Sequence, residues 1–304
     1  MTETAIRVRG LRKSYGPVEA VRALDLIVLH GEVFSLLGPN GAGKTTVIEI
    51  LEGHRSRNAG EVDVLGHDPE SSGPAFRRRI GIVLQDRGVE PYLTVAETIE
   101  QYRGYYPEPR PLDEVIEVVG LQHKRGERVK KLSGGQQRRL DVAIGLAGDP
   151  DLLFLDEPTT GFDPSARRNA WDMVRNLKSL GKTVLLTTHY MDEAQNLSDR
   201  VAILVRGEIV AEGSPEILTN RDRTTRVRFR LPENAPSLPA ELGAAKPSEG
   251  GSIELRTEDP ASTLHKLTSW SLANSVELAN LSVTRASLED VYLELTASDT
   301  RTGS

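Results

Sequence analysis

GPNGAGKT, at residues 38–45, matches the G-x-x-x-x-G-K-[ST] pattern of a phosphate-binding loop. The apolar run Val33–Leu37 comes directly before it and is typical of a buried strand. The stretch TTVIEILEG that begins at the last residue of the loop places Val47, Ile48 and Leu51 on one helical face. The strand, loop and helix that this pattern requires are therefore all predicted around it.

The residue types in this loop suit the phosphates of a nucleotide. Glycines allow backbone N–H groups to surround phosphate oxygens. Lys44 is long enough to reach the β- and γ-phosphates, and the hydroxyl of Thr45 is a ligand that Mg²⁺ accepts. The alternative is a glycine turn before an ordinary helix, which the flanking elements disfavour. The predicted nucleotide-binding residues of the loop are Gly38, Pro39, Asn40, Gly41, Ala42, Gly43, Lys44, Thr45 and Thr46.

Further apolar runs predict that this strand belongs to a larger sheet. They alternate with helical patterns such as Trp171, Val174 and Leu177. Such alternation is typical of a largely parallel sheet covered by helices, so we predict an α/β fold. The runs are Ile80–Leu84, Leu152–Leu155, Thr183–Thr188 and Arg200–Val205.

The chain divides by pattern into a predicted first domain, residues 1–220, and a small C-terminal α+β domain, residues 221–304. Within the first, helices replace strands over about residues 86–149, and one of them begins with the capping box Thr94-x-x-Glu97. We interpret this stretch as a helical insert. In the second, the strand RTTRVRFRL and the helix SLEDVYLELT each carry one apolar face. The apolar residues of these faces are Val227, Phe229 and Leu231, and Leu288, Val291, Tyr292 and Leu295.

Composition narrows the class of protein. The chain has no cysteine, which excludes disulfides and thiolate chemistry. No stretch approaches the ~18 apolar residues of a membrane span, and the start MTETAIRVRG lacks the layout of a signal peptide, so we expect a cytoplasmic protein. With 44 acidic and 38 basic residues the net charge is −6, which argues against general binding to nucleic acid.

Two adjacent carboxylates close a predicted buried strand in LLFLDEP, residues 152–158. Successive strand residues point in opposite directions, so Asp156 and Glu157 are predicted to have different roles. One carboxylate near Mg²⁺ and one directed at a water is the arrangement that phosphoryl transfer to water requires. A strand that ends in acidic residues is common, so the pair alone is weak evidence for a site. The presence of the phosphate-binding loop makes the functional interpretation stronger.

Three further residues are candidates on position alone. His189 closes the strand TVLLTTH and Gln85 closes GIVLQ, which places both at the sheet edge where the loop begins. A lone polar residue in such a position usually has a structural role where the strand leaves the core, and this alternative applies to both. Tyr15 is a candidate for stacking on a nucleotide base, and an aromatic ring packed under an N-terminal strand is the alternative.

A second anion-binding signal lies far from the loop, in KLSGGQQRRL at residues 131–140. Ser133 and Gln136 have the spacing of a capping box, so backbone N–H groups and the positive end of a helix dipole are predicted to face outward there. The chain already has a phosphate cradle. This nest is therefore either redundant or meant for a phosphate that the chain itself does not hold.

The order of these motifs resembles the nucleotide-binding domain of ABC transporters over about residues 6–218, and LSGGQ is the signature of that family. The resemblance implies an ABC-type ATPase domain that uses ATP and Mg²⁺ and pairs head to tail with a second copy of itself. It also implies a role for each candidate: Tyr15 stacks on adenine, Thr45, Gln85 and Asp156 form the Mg²⁺ site, Glu157 is the general base, Lys44 and His189 contact the γ-phosphate, Asp163 is the D-loop acid, and Ser133, Gly134, Gly135 and Gln136 bind the ATP of the other subunit.

Finer details resemble the drug-resistance branch, which works with a separate ABC-2-type permease. They are EPTTGFDP, EGHRSRNAGEVDVLG and the final SLEDVYLEL, although Phe162 stands where that branch more often has leucine. The resemblance implies a subunit held at the inner face of the cell membrane by its permease, exporting a small apolar molecule. The C-terminal domain is alternatively a dimerisation or stabilising appendage.

Two other functions are less consistent with the sequence. A soluble ABC ATPase that acts on ribosomes or DNA carries, by family resemblance, two cassettes or long coiled coils, whereas this chain has one phosphate-binding loop and no sustained heptads. A regulatory module that holds ATP without turnover would lack the base, and Glu157 is present.

Overall fold

The computed structural model describes residues 3–83, 89–219, 225–232, 235–242, 246–248, 252–285 and 287–299. Gln85 and Leu84, at the end of one predicted strand, lie outside these residues. The chain divides into two compact units, residues 1–215 and 216–304. The strands are β1 (Thr4–Tyr15), β2 (Val18–Leu29), β3 (Val33–Leu37), β4 (Ala59–Val64), β5 (Ile80–Val83), β6 (Leu152–Asp156), β7 (Thr183–Thr188), β8 (Arg200–Val205), β9 (Glu208–Gly213), β10 (Thr225–Arg230), β11 (Lys246–Ser248), β12 (Ser252–Thr257) and β13 (Ala279–Arg285). The α-helices are α1 (Lys44–Leu51), α2 (Pro74–Arg79), α3 (Val95–Arg103), α4 (Leu112–Val118), α5 (Gly134–Leu146), α6 (Pro164–Ser179), α7 (Met191–Leu197), α8 (Pro215–Thr219), α9 (Pro260–Ala273) and α10 (Leu288–Asp299).

The predicted parallel sheet forms the centre of the first unit. Its order is β5-β6-β7-β3-β8-β9, and every neighbouring pair is parallel except β8 with β9. Every residue of β3 and of β7 is buried, as expected of strands covered on both faces. The carboxyl ends of β6, β7 and β3 therefore meet at one edge, where the phosphate-binding loop begins.

A second sheet in the first unit was not identified from the sequence. It is antiparallel, in the order β2-β1-β4. Along β1 the residues Ile6 and Val8 alternate inward, but the next apolar residue to be buried is Leu11, because the register shifts around Gly10, whose φ is +58°. This irregularity breaks the period of two on which strand prediction depends.

The helical insert supplies α3, α4 and α5. The capping box at α3 is present: the Thr94 hydroxyl accepts a hydrogen bond from the Glu97 N–H, and the Glu97 carboxylate accepts one from the Thr94 N–H at 2.8 Å. Apolar residues of the three helices, such as Ile99, Val115 and Leu140, pack in one core with residues of β6 and β7. The insert is thus attached to the sheet whose edge carries the predicted site.

The second unit contains an antiparallel sheet in the order β11-β12-β10-β13, with α9 against β10. The predicted apolar face of β10 is confirmed, since Val227 and Phe229 are fully buried. On α10, Leu288 and Val291 are buried, whereas Tyr292 is half-buried. Among the residues that the structure describes, no helix is both long enough and apolar enough to span a membrane.

Candidate functional site

The phosphate-binding loop runs from the end of β3 to the start of α1 and is held closely by neighbouring backbone. The Gly38 N–H donates to the Thr188 carbonyl at 3.2 Å, and the Gly207 N–H donates to the Ala42 carbonyl at 2.9 Å. Gly43 has a φ of +105°, and a Cβ built on it would lie 2.4 Å from the Ala20 carbonyl oxygen. Only glycine fits this position, for conformational and for steric reasons.

We expect the Gly43→Ala substitution to weaken ATP binding at least about tenfold. A side chain in the left-handed region costs about 1–2 kcal/mol before the clash with Ala20 is added, and about 1.4 kcal/mol corresponds to tenfold in affinity. Titration with ATP measures the loss. Gly73→Ala is the matched control, because Gly73 has a φ of −96° and no atom within 4 Å of a built Cβ. Equal affinity in Gly43→Ala and Gly73→Ala would contradict the prediction.

Lys44 joins this loop to the carboxylate of Glu157. Its side chain is only 5% exposed, and its Nζ donates to the carbonyls of Gly38 at 2.8 Å and Pro39 at 3.1 Å. The same Nζ lies 3.4 Å from Glu157 Oε1. The loop thus places one buried positive charge between itself and the end of β6.

The backbone turns sharply between the two predicted carboxylates. Asp156 ends β6 as an ordinary strand residue, whereas Glu157 has a φ of +45°, in the left-handed region. Thr187, the neighbour of Asp156 on β7, contacts both: its hydroxyl donates to Asp156 Oδ1 at 2.5 Å and accepts from the Glu157 N–H at 2.9 Å. The turn directs Glu157 away from the line of the strand and towards Lys44.

The surroundings of Glu157 favour its ionised form. Burial by itself would raise the pKa of this carboxyl group, but the hydroxyl of Thr160, which donates to Oε2 at 2.9 Å, and the neighbouring His189 and Lys44 together hold the pKa below its ordinary value. Glu157 is therefore a carboxylate at neutral pH, free of its own proton and able to accept one.

His189 follows β7 and faces the same carboxylate. Its Nδ1 lies 3.3 Å from Glu157 Oε1, without the alignment of a hydrogen bond. The imidazole ring stacks against Tyr190 at a centroid distance of 4.1 Å, and the guanidinium of Arg167 lies 4.1 Å from the centroid of the Tyr190 ring. Helix α6, which carries Arg167, thereby supports the position of His189.

The predicted nest at the start of α5 has the expected capping box. Ser133 is the N-cap, its hydroxyl accepts from the Gln136 N–H at 3.4 Å, and Gln136 Oε1 accepts from the Ser133 N–H at 3.0 Å. Ser133 and Gly134 are exposed, and a Cβ built on Gly134 meets no atom within 4 Å. At Gly135 a built Cβ would come within 3.3 Å of the Ala166 side chain. The tip of the nest is open and its base is packed against α6.

One cleft of about 560 Å³ contains the nest and the Glu157 carboxylate. Asp163 also lines it and is the N-cap of α6, accepting from the N–H groups of Ser165 at 2.8 Å and Ala166 at 2.9 Å. Phe162 contributes part of the wall against Gly135. The lining residues are Ser133, Gly134, Gly135, Gln137, Arg138, Asp141, Glu157, Thr160, Gly161, Phe162, Asp163 and Ala166.

The remaining predicted residues are less closely connected. Tyr15, at the end of β1, is 39% exposed, with Lys13 Nζ 5.3 Å and the Arg55 guanidinium 5.2 Å from its ring centroid. Thr45 is exposed in the first turn of α1. Gln85 is not among the residues that the structure describes. The structure therefore groups Lys44 and His189 around Glu157, whereas the neighbours it gives Tyr15 are Lys13 and Arg55.

A buried acid behind the site was not predicted. Glu193, on α7, is fully buried, and the Thr159 hydroxyl donates to its Oε1 at 2.9 Å. Burial raises the pKa of Glu193 above its ordinary value, although hydrogen bonds from Thr188 and Thr159 partly offset this effect. Thr159 follows the Glu157 turn and Thr188 precedes His189, so Glu193 contacts the segments on both sides of the catalytic candidates.

The raised pKa of Glu193 makes stability depend on pH. The folded chain binds the proton of the Glu193 carboxyl group more tightly than the unfolded chain does. This proton therefore stabilises the folded state fully below the ordinary glutamate pKa, and the stabilisation is lost as pH rises through the raised pKa. Glu193→Gln removes that loss and keeps an acceptor for Thr159. We expect the free energy of unfolding of Glu193→Gln, measured in urea titrations and taken relative to the wild type, to increase as pH rises from about 5 to about 8.

Glu117, exposed on α4, supplies the control for this experiment. Glu117→Gln replaces a carboxylate that is already in contact with solvent, so it should change the unfolding free energy little at either pH. A constant difference between Glu193→Gln and the wild type across the range would contradict the prediction.

Comparison with known proteins agrees with this architecture. The family model described as ABC transporter matches residues 21–160, and the model described as ABC transporter domain-containing protein-like, C-terminal domain, matches residues 225–287. The daunorubicin/doxorubicin resistance ATP-binding protein DrrA of Streptomyces peucetius is 39% identical over 305 residues, covering 96% of this chain and 92% of DrrA. This chain belongs to the ATP-binding proteins of ABC transporters.

Within the ABC transporters its relatives come from the DrrA and NodI family. The Nod factor export ATP-binding protein I of Bradyrhizobium diazoefficiens is 44% identical over 223 residues, which cover 72% of this chain and 73% of that protein. The solved dimer of the ATP-binding cassette MJ0796, in a post-hydrolysis state bound to ADP and Pi, has a TM-score of 0.60 and 26% identity over 69% of this chain and 98% of that chain. This chain is thus an ABC transporter ATPase, and the predicted fold and enzyme class are confirmed.

Proposed function

We propose that this ATPase powers an exporter: two copies pair head to tail around ATP, hydrolyse it, and drive a separate membrane permease that expels small, apolar, drug-like molecules. The observation that supports this most is the 39% identity to a daunorubicin/doxorubicin resistance protein along nearly the whole of both chains. In this proposal, residues 1–220 carry the ATPase, residues 221–304 form an accessory domain, and the chain lies at the inner face of the membrane through its permease.

The proposed roles at the chain's own phosphate loop follow from charge and position. Lys44, buried at the start of α1, attracts the β- and γ-phosphates. Thr45 and Asp156, with Gln85, would hold Mg²⁺, and the hydroxyl and carboxylate oxygens present are ligands that suit this ion. When bound, Mg²⁺ supplies positive charge that neutralises the phosphate oxygens. Tyr15 is proposed to stack on adenine, and its 39% exposure leaves part of the ring open to a ligand.

Glu157 is proposed as the general base for the attacking water. Its lowered pKa supplies a carboxylate at neutral pH, and the left-handed turn directs that carboxylate towards Lys44 and the loop. His189, 3.3 Å from the same carboxylate and supported by Tyr190, is proposed to contact the γ-phosphate. Both side chains approach the loop from neighbouring strands, β6 and β7.

The nest is proposed to bind the γ-phosphate of the partner's ATP. Ser133 and Gly134 are exposed, and the open tip presents the N-terminus of a 13-residue helix, which attracts anions. Gln136 closes the capping box that holds this geometry, and Asp163 lines the same cleft. The similar cassette MJ0796 is a dimer in its solved structure, which supports pairing of this chain with a second copy.

The partner of this chain tests the proposed function. We expect an affinity-tagged chain, purified from detergent-solubilised membranes, to bring with it a polytopic membrane protein, and deletion of the gene for that protein to release the chain from the membrane fraction. The Lys44→Ala variant, which keeps the surface of the protein, is the matched control for association without ATP binding. Recovery of ribosomes or DNA in place of a membrane protein would contradict export and indicate the soluble class.

A further inference from the structure

The peptide unit between Asp156 and Glu157 is held from both sides by different parts of the chain. Its carbonyl accepts a hydrogen bond from Arg138 Nη2 on α5, at 2.6 Å, and its N–H donates to Thr187 Oγ1 on β7, at 2.9 Å. Because the peptide unit is planar, two bonds on opposite sides fix its rotation about the chain axis. This rotation sets the direction in which Glu157 leaves the strand.

Glu157 has a backbone conformation that requires such support. Its φ of +45° lies in the left-handed region, which residues with a Cβ disfavour. A residue stays in this region when the surrounding structure holds it there, and such residues are concentrated at functional sites. If the Asp156 carbonyl lost its donor, the peptide unit could rotate and allow Glu157 to relax towards an ordinary strand conformation.

Arg138 is well suited to hold that carbonyl. It is only 8% exposed although its guanidinium is always charged, and a charge-assisted bond to a carbonyl oxygen is stronger and more directional than a neutral one. It lies five residues after Ser133 on the same helix and lines the same cleft as Glu157. Helix α5 therefore begins at the nest and reaches the backbone of the proposed base.

We propose that Arg138 is a positioning residue for ATP hydrolysis: through the Asp156 carbonyl it holds Glu157 in the conformation that directs its carboxylate at the attacking water. The inference rests on the proposed role of Glu157 as the general base. Arg138 itself has no contact with the reacting atoms in this scheme. Its loss is expected to slow the chemical step and to leave binding of ATP unchanged.

The test compares Arg138→Met with Arg139→Met in the full-length chain. Methionine keeps much of the length and apolar stem of arginine without the guanidinium. Arg139 is the matched control, because its Nη1 makes an equivalent bond to a carbonyl, that of Gly120 at 3.0 Å, in the helical insert. We expect kcat of Arg138→Met to fall at least about tenfold, since small misplacements of a catalytic group cost up to about 100-fold, with Kd for ATP within about twofold.

A double substitution separates positioning from general damage. If Arg138 acts through Glu157, adding Arg138→Met to Glu157→Gln should slow single-turnover hydrolysis no further than Glu157→Gln alone. An additional tenfold loss in that background would mean that Arg138 acts elsewhere and would overturn the inference. So would a wild-type kcat in Arg138→Met, or an equal loss of kcat in Arg139→Met.

Arg138→Lys covers the case in which Arg138→Met does not fold. Lysine keeps the charge but lacks the planar fork, so we expect a kcat between that of the wild type and a tenfold loss, at unchanged Kd. A wild-type kcat or a changed Kd in Arg138→Lys contradicts positioning. The proposed base fails separately, and only if Glu157→Gln itself hydrolyses ATP at the wild-type rate.

Discussion

Glu157→Gln should bind ATP at least as tightly as the wild type and hydrolyse it about 100-fold to 10,000-fold more slowly, the range that a general base contributes. Glutamine has nearly the same shape as glutamate but does not accept the proton of the attacking water. The loop, Lys44 and the carboxylate of Asp156 remain in place. The protein should consequently accumulate as an ATP-bound dimer, which gel filtration in Mg-ATP detects.

Glu117→Gln, on the exposed face of α4, is the control for this experiment and should hydrolyse ATP at the wild-type rate. The assignment of the base is wrong if Glu157→Gln retains near-normal turnover. Loss of ATP binding in the same variant would instead show that the carboxylate is needed to build the nucleotide site.

Mixing two inactive variants should restore ATPase activity if each nest serves the ATP of the other chain. Lys44→Ala damages the phosphate loop and Ser133→Arg blocks the nest, so a homodimer of either variant has two damaged sites. In a mixed dimer, one site combines two intact halves and the other collects both lesions. Random pairing makes half of the dimers mixed, with one intact site each, so about a quarter of wild-type activity is expected if the sites act independently.

The control for mixing is Lys44→Ala paired with the double variant Lys44→Ala/Ser133→Arg. Both chains then lack Lys44, so no dimer that they form contains an intact site. If turnover requires both sites, activity stays low but ATP-dependent pairing of the two single variants should still appear. Because Ser133 caps α5, the thermal midpoint of Ser133→Arg is measured first to confirm that it is folded. Two folded, co-expressed variants that recover neither activity nor pairing would falsify the shared site.

Much of the architecture was predictable because it follows from local patterns. The apolar runs around β3, β6 and β7 predicted a parallel sheet, and strands of such a sheet end at one edge. Glu157 and His189, which follow two of those strand ends, were therefore expected near the loop that carries Lys44. In the structure, Lys44 Nζ lies 3.4 Å and His189 Nδ1 lies 3.3 Å from Glu157 Oε1.

The residues that support this group were not predictable, because their sequence signals have commoner explanations. Thr187 is one of several β-branched residues in TVLLTT, and nothing in that run shows that its hydroxyl contacts the Asp156 carboxylate. Arg138 stands beside Arg139 on one helix, and only the fold shows that the first reaches β6 and the second reaches Gly120. Glu193 lies in the first turn of α7, where acidic residues are usually exposed and stabilise the helix N-terminus, so its burial was not expected.

Because Lys44 Nζ lies 3.4 Å from the Glu157 carboxylate, that carboxylate competes with the phosphates of a nucleotide for the positive charge of Lys44. A phosphate that enters the loop has to replace the Glu157 carboxylate as the partner of Lys44. This carboxylate cannot diffuse away, because it belongs to the same folded chain as the lysine. A tethered competitor acts at a high effective concentration that dilution does not reduce. We therefore expect the affinity for a nucleotide to be lower than the loop alone would give, and we expect Lys44 to pair with Glu157 again when the phosphates leave.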